Sequence, residues 1–268
     1  MTILWYAIVS VILALISFLT SMLGIGGGVL YTPLQLFLGI DIHHAATNSL
    51  FFIMLASISA GFIYRKAGKV DFKLVALLEP PTLIGAFIGG YISGFISSNV
   101  LMIILIITLL FSGIMMLRKT SIISEIDNDY DAWFVWKREF KEYQYGINLF
   151  VALPCSFVAG VVSSLVGVGG GVLKVPIMII LLNVPVEIAI SVSMIMVGIT
   201  ALGGFAGHLI HGHWDWRFGL ILGPIVFIAA KLGAKTMLHV NKAHLKKGFA
   251  VFMFLIVISL IVRLIFFS

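Results

Sequence analysis

Charge is what this sequence has least of. Only 10% of its 268 residues are Asp, Glu, Lys or Arg, against roughly 25% in an ordinary soluble domain, while 61% are hydrophobic and the mean hydropathy is +1.16. A soluble enzyme, a secreted domain and a DNA-binding protein are thereby excluded. Cysteine is almost missing: Cys155 stands alone, so no intrachain disulfide can form and no metal-type cysteine spacing exists. Lys and Arg are absent from Met1 to Leu23; without the basic start of a secretory signal peptide, this stretch is expected to remain as a membrane segment. The net charge of +6 does not call for nucleic acid, because in a membrane protein basic residues first report orientation.

What is present comes in two copies. Apolar stretches at roughly 1–23, 24–38, 44–64, 72–95 and 99–117 are followed by a polar connector, then by stretches beginning at Ile147 and at roughly 167–183, 187–210, 216–238 and 245–267. At about 20 residues per crossing, these segments leave no room for a sizeable water-soluble domain. GIGGGVLYTP (24–33) aligns with GVGGGVLKVP (167–176) with seven identities in ten positions. Beyond one inserted residue the match continues, with Ser49 on Ser193, Gly68 on Gly212, Asp71 on Asp215, Pro80 on Pro224 and Gly89 on Gly233. Internal similarity of this kind is the mark of a repeat architecture.

Five segments per copy is an odd number, so the copies are expected to enter the membrane from opposite sides. The expected fold is an all-α polytopic integral membrane protein of two inverted-topology repeats, residues 1–117 and 147–268, joined by a linker at 118–146. The segment after each glycine cluster, about 15 residues, is short of a full span; the first two segments of each copy are either two broken crossings or one re-entrant hairpin, and the hairpin would leave three crossings, still odd. Thirteen of the 17 Lys and Arg residues fall on one side of this layout. The positive-inside rule places that side, with the linker, in the cytoplasm and both termini outside. Trp133, Trp136, Phe140 and Tyr143 recur at three- and four-residue spacings, which predicts an interfacial helix within the linker.

The glycine clusters, Gly24, Gly26, Gly27 and Gly28 with Gly167, Gly169, Gly170 and Gly171, carry the strongest functional signal. Glycine is a poor helix former, and non-helical backbone at membrane depth is tolerated only inside protein or along a cavity. Broken helices at matched places in two halves point to a midplane transport site, with helix N-termini that favour anions. The alternative is that the glycines only allow close helix packing. Lys174, three residues past the second cluster where the first has Tyr31, either contacts a ligand or snorkels to a polar surface. Thr47, Asn48 and Ser49, with Ser191 and Ser193, either contact an oxyanion or glue helices by hydrogen bonds. Glu79 and Lys231 sit at similar depth and either form a buried ion pair or bind substrate directly, and Glu79, if it titrates, is placed for proton coupling. Asp71 and Asp215 read as helix N-caps. His208, His211 and His213 near the outer side are not expected to hold a metal. No cofactor is called for, and no catalytic constellation appears in the membrane segments.

The motifs LGIGGGVLYTP and VGVGGGVLKVP, the stretches AATNS and AISVS, and the segments GAFIGGYI and AAKLGAKT together resemble the TauE/SafE family, also called the toluene-sulfonate uptake permeases. The resemblance covers nearly the whole chain outside the linker. It implies a secondary transporter of a small sulfur-containing anion, such as sulfite, a sulfonate, sulfoacetate or thiosulfate, in a prokaryotic cell membrane. It carries the family's glycine motif onto the eight glycines named above and its prolines onto Pro33 and Pro176. The partners expected are the anion, the bilayer and, as one arrangement, a second copy in a homodimer. A passive anion channel and a membrane enzyme using the outer histidines are the alternatives.

Overall fold

The fold is described from a computed structural model, which describes residues 3–23, 26–68, 70–117, 133–237 and 254–265. Gly24 of the first cluster and residues 118–132 of the linker lie outside them. Helices α1 (Ile3–Leu23), α2 (Gly28–Phe37), α3 (Ile42–Lys66), α4 (Phe72–Ser93) and α5 (Ser98–Leu117) make the first half. A two-stranded antiparallel hairpin, β1 (Val135–Phe140) and β2 (Tyr143–Asn148), precedes the second half. That half holds α6 (Leu149–Leu165), α7 (Gly171–Leu181, π-helical over Ile177–Leu181), α8 (Val186–Leu209), α9 (Trp216–Met237) and α10 (Phe254–Ile265). Six of the described helices are long and apolar enough to cross a bilayer. Their outer faces are apolar at helical spacing: Leu4, Ile8, Val11, Leu15 and Leu19 on α1, and Val100, Ile103, Ile107, Phe111 and Ile114 on α5, are exposed. Apolar stripes of this length belong against lipid. The chain is a polytopic helical membrane protein.

Small residues set the packing at the centre. Without a hydrophobic drive between helices in lipid, close backbone approach supplies the contact energy. A Cβ at Gly85 or Gly89 of α4 would run into the backbone of Phe157 or Val161 on α6, and one at Gly160 would meet Thr82 on α4. The other side of α4 lies as tightly on α8, where Gly90 faces Gly204. The halves exchange partners: α4 packs on α6 and α8, and α9 packs on α1 and α3.

Both short helices turn back. Trp5 near the start of α1 meets Phe218 at the start of α9, and Tyr64 near the end of α3 donates to the Ser21 carbonyl near the end of α1. After its break the chain returns through α2 to Asp41, whose carboxylate accepts from Ser98 at the start of α5. At about 1.5 Å per residue, the ten residues of α2 cover only half of a hydrocarbon core of about 30 Å. In the second half, α6 starts at the hairpin, and α7 leads back to Ile188 and Ala189 of α8, which cluster with Tyr145 and Ile147 of β2. The two ends of the α1–α2 hairpin lie with the histidine-bearing end, and those of the α6–α7 hairpin with the β-hairpin.

The interfacial helix expected for Trp133, Trp136, Phe140 and Tyr143 does not form; Trp136, Phe140 and Tyr143 lie in the two strands and Trp133 just before them. A four-residue spacing fits a helical face and a strand face alike. What decides is Arg138, midway between Trp136 and Phe140 and within cation–π range of both rings. It shares their strand face and reaches across to Asp71.

Candidate functional site: a buried ion pair beside a broken helix

Each glycine cluster interrupts its helix in the same way. Gly27 and Gly170, the residues before α2 and α7, have φ of 89° and 81°, a left-handed conformation that costs a side-chain-bearing residue roughly 1–2 kcal/mol. One turn further on, Tyr31 N donates to the Gly27 carbonyl at 3.1 Å and Lys174 N to that of Gly170 at 2.8 Å. Tyr31 and Lys174 therefore hold equivalent places, each with its side chain folded against the glycine of its own break. The two breaks touch. Thr32 Oγ1 donates to the Gly167 carbonyl at 3.2 Å, and a Cβ on Gly28 would collide with the backbone of Val168. Ile53 of α3 fills the space between them, facing Gly26, Gly28 and Gly169.

Lys174 is 3% exposed and does not snorkel. Its Nζ donates to Glu79 Oε2 at 2.6 Å and to Thr200 Oγ1 at 2.5 Å. Thr200 Oγ1 in turn lies 2.7 Å from Glu79 Oε1 and 2.9 Å from the Met196 carbonyl. Three helices meet here, α4 with Glu79, α7 with Lys174 and α8 with Thr200, and all three side chains are buried. An ion pair taken out of water holds only when the geometry is good and the remaining lone pairs and protons are satisfied; the threonine hydroxyl fulfils that second condition. A small cavity opens against Lys174, lined by Ser156 and Ala159 of α6, Ile177 and Met178 of α7, and Met196 of α8.

The expected pairing of Glu79 with Lys231 is corrected by this geometry. Lys231 is exposed on α9, which packs against α1 and α3, whereas Glu79 faces the seam of α4 with α6 and α8. Equal depth did not imply a shared face. Thr47, Asn48 and Ser49 are buried but are not gathered at Lys174. Thr47 Oγ1 donates to the His43 carbonyl of its own helix. Asn48 Nδ2 donates to Gln35 Oε1 at 3.1 Å, and Gln35 Nε2 donates to Ser49 Oγ at 2.9 Å and to the Tyr31 and Ala45 carbonyls. Their hydrogen bonds knit α2 to α3. Ser191 and Ser193 are buried on α8.

Sequence reasoning passed over Thr200 and Gln35. An amide inside the apolar segment 24–38 is a visible signal, because a polar group in lipid demands a partner. A single threonine in α8 is not, since its hydroxyl can bond back to the carbonyl four residues earlier, as Thr200 does to Met196.

The histidine-bearing end is built differently. His208 is buried, with Nδ1 3.1 Å from Ser93 Oγ and Nε2 2.8 Å from the Ser164 carbonyl. The His213 ring lies 4.8 Å from that of His43 and stacks on that of His211 at 5.6 Å. Among the described residues no three His, Cys, Asp or Glu side chains converge as a metal site.

At the opposite end, Asp71 caps α4 through the Lys73 amide and accepts from Arg138 Nε at 2.7 Å, Arg138 Nη2 at 3.0 Å and Tyr145 OH at 2.8 Å. Burial works to raise the Asp71 carboxyl, but the bonds from Arg138 and Tyr145 outweigh it and hold the group below the usual carboxylate range. Tyr145, buried and beside that carboxylate, is pushed above its ordinary value.

A polytopic helical bundle with two interrupted helices in contact and a charged pair buried beside one of them belongs among membrane transport proteins. Residues 9–260 match the sulfite exporter TauE/SafE family, and the chain belongs to that family. It is 27% identical to the probable membrane transporter protein YunE of Bacillus subtilis over 80% of this chain and 82% of that one. A probable membrane transporter protein of Methanocaldococcus jannaschii is 24% identical over 87% and 86% of the two chains, and one of Haemophilus influenzae 22% identical over 93% and 96%. No solved structure matches the chain.

Proposed function

We propose that this protein is a secondary transporter that moves a small sulfur-containing anion, sulfite or an organosulfonate or a related oxyanion, across the cell membrane by alternating access. The observation that carries the reading is Lys174: an ammonium group buried in a membrane-spanning bundle, beside a helix break and a cavity, held by one carboxylate that an incoming anion can replace. A central lysine costs about 2.5–3.5 kcal/mol on insertion scales, a cost that function rather than folding accounts for. The family's description as sulfite exporters supports the choice of anion class. The two halves are inverted-topology repeats in this reading, supported by the duplicated glycine motif and by the exchange of partners between α4 on α6 and α9 on α1. Rocking of one half against the other would part the breaks at Ile53 and expose the pocket to one side at a time. The β-hairpin end, with its Lys and Arg residues, faces the cytoplasm, and both termini lie outside.

Uptake of labelled sulfite, thiosulfate and alkyl sulfonates into proteoliposomes tests this directly. Saturable uptake by the wild-type protein, reduced at least tenfold in Lys174→Ala, is expected. Equal uptake by both proteins would remove Lys174 from the mechanism, and no uptake of any of these anions would remove the assigned substrate class.

A further inference from the structure

The hydrogen bonds around Thr200 contain one proton fewer than their acceptors can use. Lys174 Nζ donates to Thr200 Oγ1, while the same hydroxyl faces two acceptors, Glu79 Oε1 and the Met196 carbonyl. A hydroxyl has a single hydrogen; with Glu79 ionised, that hydrogen serves the carboxylate. If Glu79 takes up a proton, its new O–H can donate to Thr200 Oγ1 and the threonine hydrogen turns to Met196. Both protonation states of Glu79 are thus satisfied without moving a helix. A buried ion pair of purely structural purpose has no need of that second state.

From this we propose that Glu79 is the proton site of transport, and that one proton and one anion enter together, an anion oxygen replacing Glu79 Oε2 on Lys174 Nζ. This rests on the transporter reading above and adds its coupling ion. Charge is the reason the two arrive together. An anion that reaches Lys174 while Glu79 is ionised places two negative charges on one ammonium in a site from which water is largely excluded, and like charges at such range drive one group to protonate. In the balanced step a proton from water forms the Glu79 O–H bond, the carboxylate becomes a neutral acid, and the hydrogen bond from Lys174 passes from the carboxylate to the anion. The ammonium keeps its own protons and is never left unpaired. Release reverses each change.

The surroundings leave Glu79 as the group to titrate. Lys174 is the charged side chain that meets it. Helix α6 brings Cys155 as its one ionisable side chain. On α8, Glu187 and His208 lie near opposite ends, roughly 20 and 12 Å along the helix from Thr200, and His208 is engaged by Ser93 and Ser164. On α4 itself, Lys73 and Tyr91 lie near its two ends.

Purified wild-type protein in weakly buffered detergent solution at neutral pH is mixed with thiosulfate, sulfate or methanesulfonate, none of which titrates there, and proton uptake is followed with an indicator dye. About one proton taken up per anion bound is expected, with binding but no uptake in Glu79→Gln. Thr200→Val removes the bond to the ionised carboxylate as well as the acceptor for the acid, and because the charge-assisted bond is the stronger of the two it should move half-maximal anion binding to higher pH; an unmoved midpoint counts against the role of Thr200 in the switch. Anion binding by wild type without proton uptake overturns the coupling and leaves the transporter intact. In proteoliposomes, an inward proton gradient should speed accumulation by wild type and leave whatever flux Glu79→Gln supports unchanged. Gradient-driven accumulation that survives in Glu79→Gln, or is absent from wild type while exchange proceeds, overturns the coupling alone. Failure of wild type to bind or move any of these anions or sulfite overturns both readings.

Discussion

Lys174 of α7 donates to Glu79 of α4 at 2.6 Å, a contact between the two halves of the chain made where both side chains are shut away from solvent. Removing one member of such a pair leaves an uncompensated charge and costs about 3–5 kcal/mol, whereas replacing both by apolar residues of similar volume is often neutral or stabilising. Lys174→Ala and Glu79→Ala should therefore each lower thermal stability in detergent markedly, and Lys174→Met combined with Glu79→Leu should recover most of the loss while remaining inactive. A double variant no more stable than the singles would argue against the pair as drawn.

Lys231 provides the control. It is exposed on α9, and surface substitutions away from special features usually change stability by no more than about 0.5 kcal/mol. Lys231→Ala should match wild type in melting temperature and in uptake. A loss of either comparable to that of Lys174→Ala would restore it to the site.

The left-handed caps should be intolerant of a side chain. Gly27→Ala combines a φ of 89° with a methyl group only 2.5 Å from the Tyr31 ring, so its cost should exceed the roughly 1–2 kcal/mol of the backbone conformation alone. Gly170→Ala, whose methyl would meet nothing nearer than 3.3 Å, should cost about that backbone amount and no more. Melting temperatures of the two variants give the order; equal losses would mean that the conformation, not the tyrosine, sets the penalty at both breaks.

The Asp71 latch has a defined pH window. Its carboxyl is held low in the folded protein, so the stabilisation is complete above the unfolded value of about 3.9 and is lost as pH falls through the lower folded value. Docking of the β-hairpin should be unchanged from neutral pH down to about 5 and weaken only in stronger acid. Asp71→Asn should loosen the hairpin at neutral pH, read as faster amide exchange across β1 and β2 with little change in α9.

At the other end the sign is the same, but the window lies at higher pH. Burial first, then the neighbouring imidazoles of His43, His44 and His211, pull His213 below its ordinary value, with Asp41 opposing. An imidazole held low in the fold is protonated more readily in the unfolded chain, so stability should fall as pH drops below about 6.5. The melting temperature measured between pH 8 and 5 should show this decline, and His213→Phe should flatten it.

How much of this was legible in advance differs between residues. The breaks at Gly26–Gly28 and Gly167–Gly171 were, because a run of glycine weakens a helix wherever it stands. That both hairpins turn back was readable as an option, because a segment too short to span has few other places to go. The caps at Asp71 and Asp215 were legible for the same local reason, and both side chains accept from amides of the helix they begin. Arg138 on Asp71 was not, because the partners are 67 residues apart and the spacing of the aromatics around Arg138 suits a helix as well as a strand.

By itself the sequence determined that this protein lives in a bilayer, that its chain is duplicated, and where its helices break: composition, self-similarity and glycine content act locally and need no neighbour. Only the tertiary structure decided that Glu79 meets Lys174 rather than Lys231, that Thr200 completes the pair, and that Asn48 and Ser49 turn to Gln35. Depth along a helix can be counted from residue numbers, but the direction a side chain faces around the axis acquires a partner only once glycine-lined surfaces have fixed which helices lie side by side.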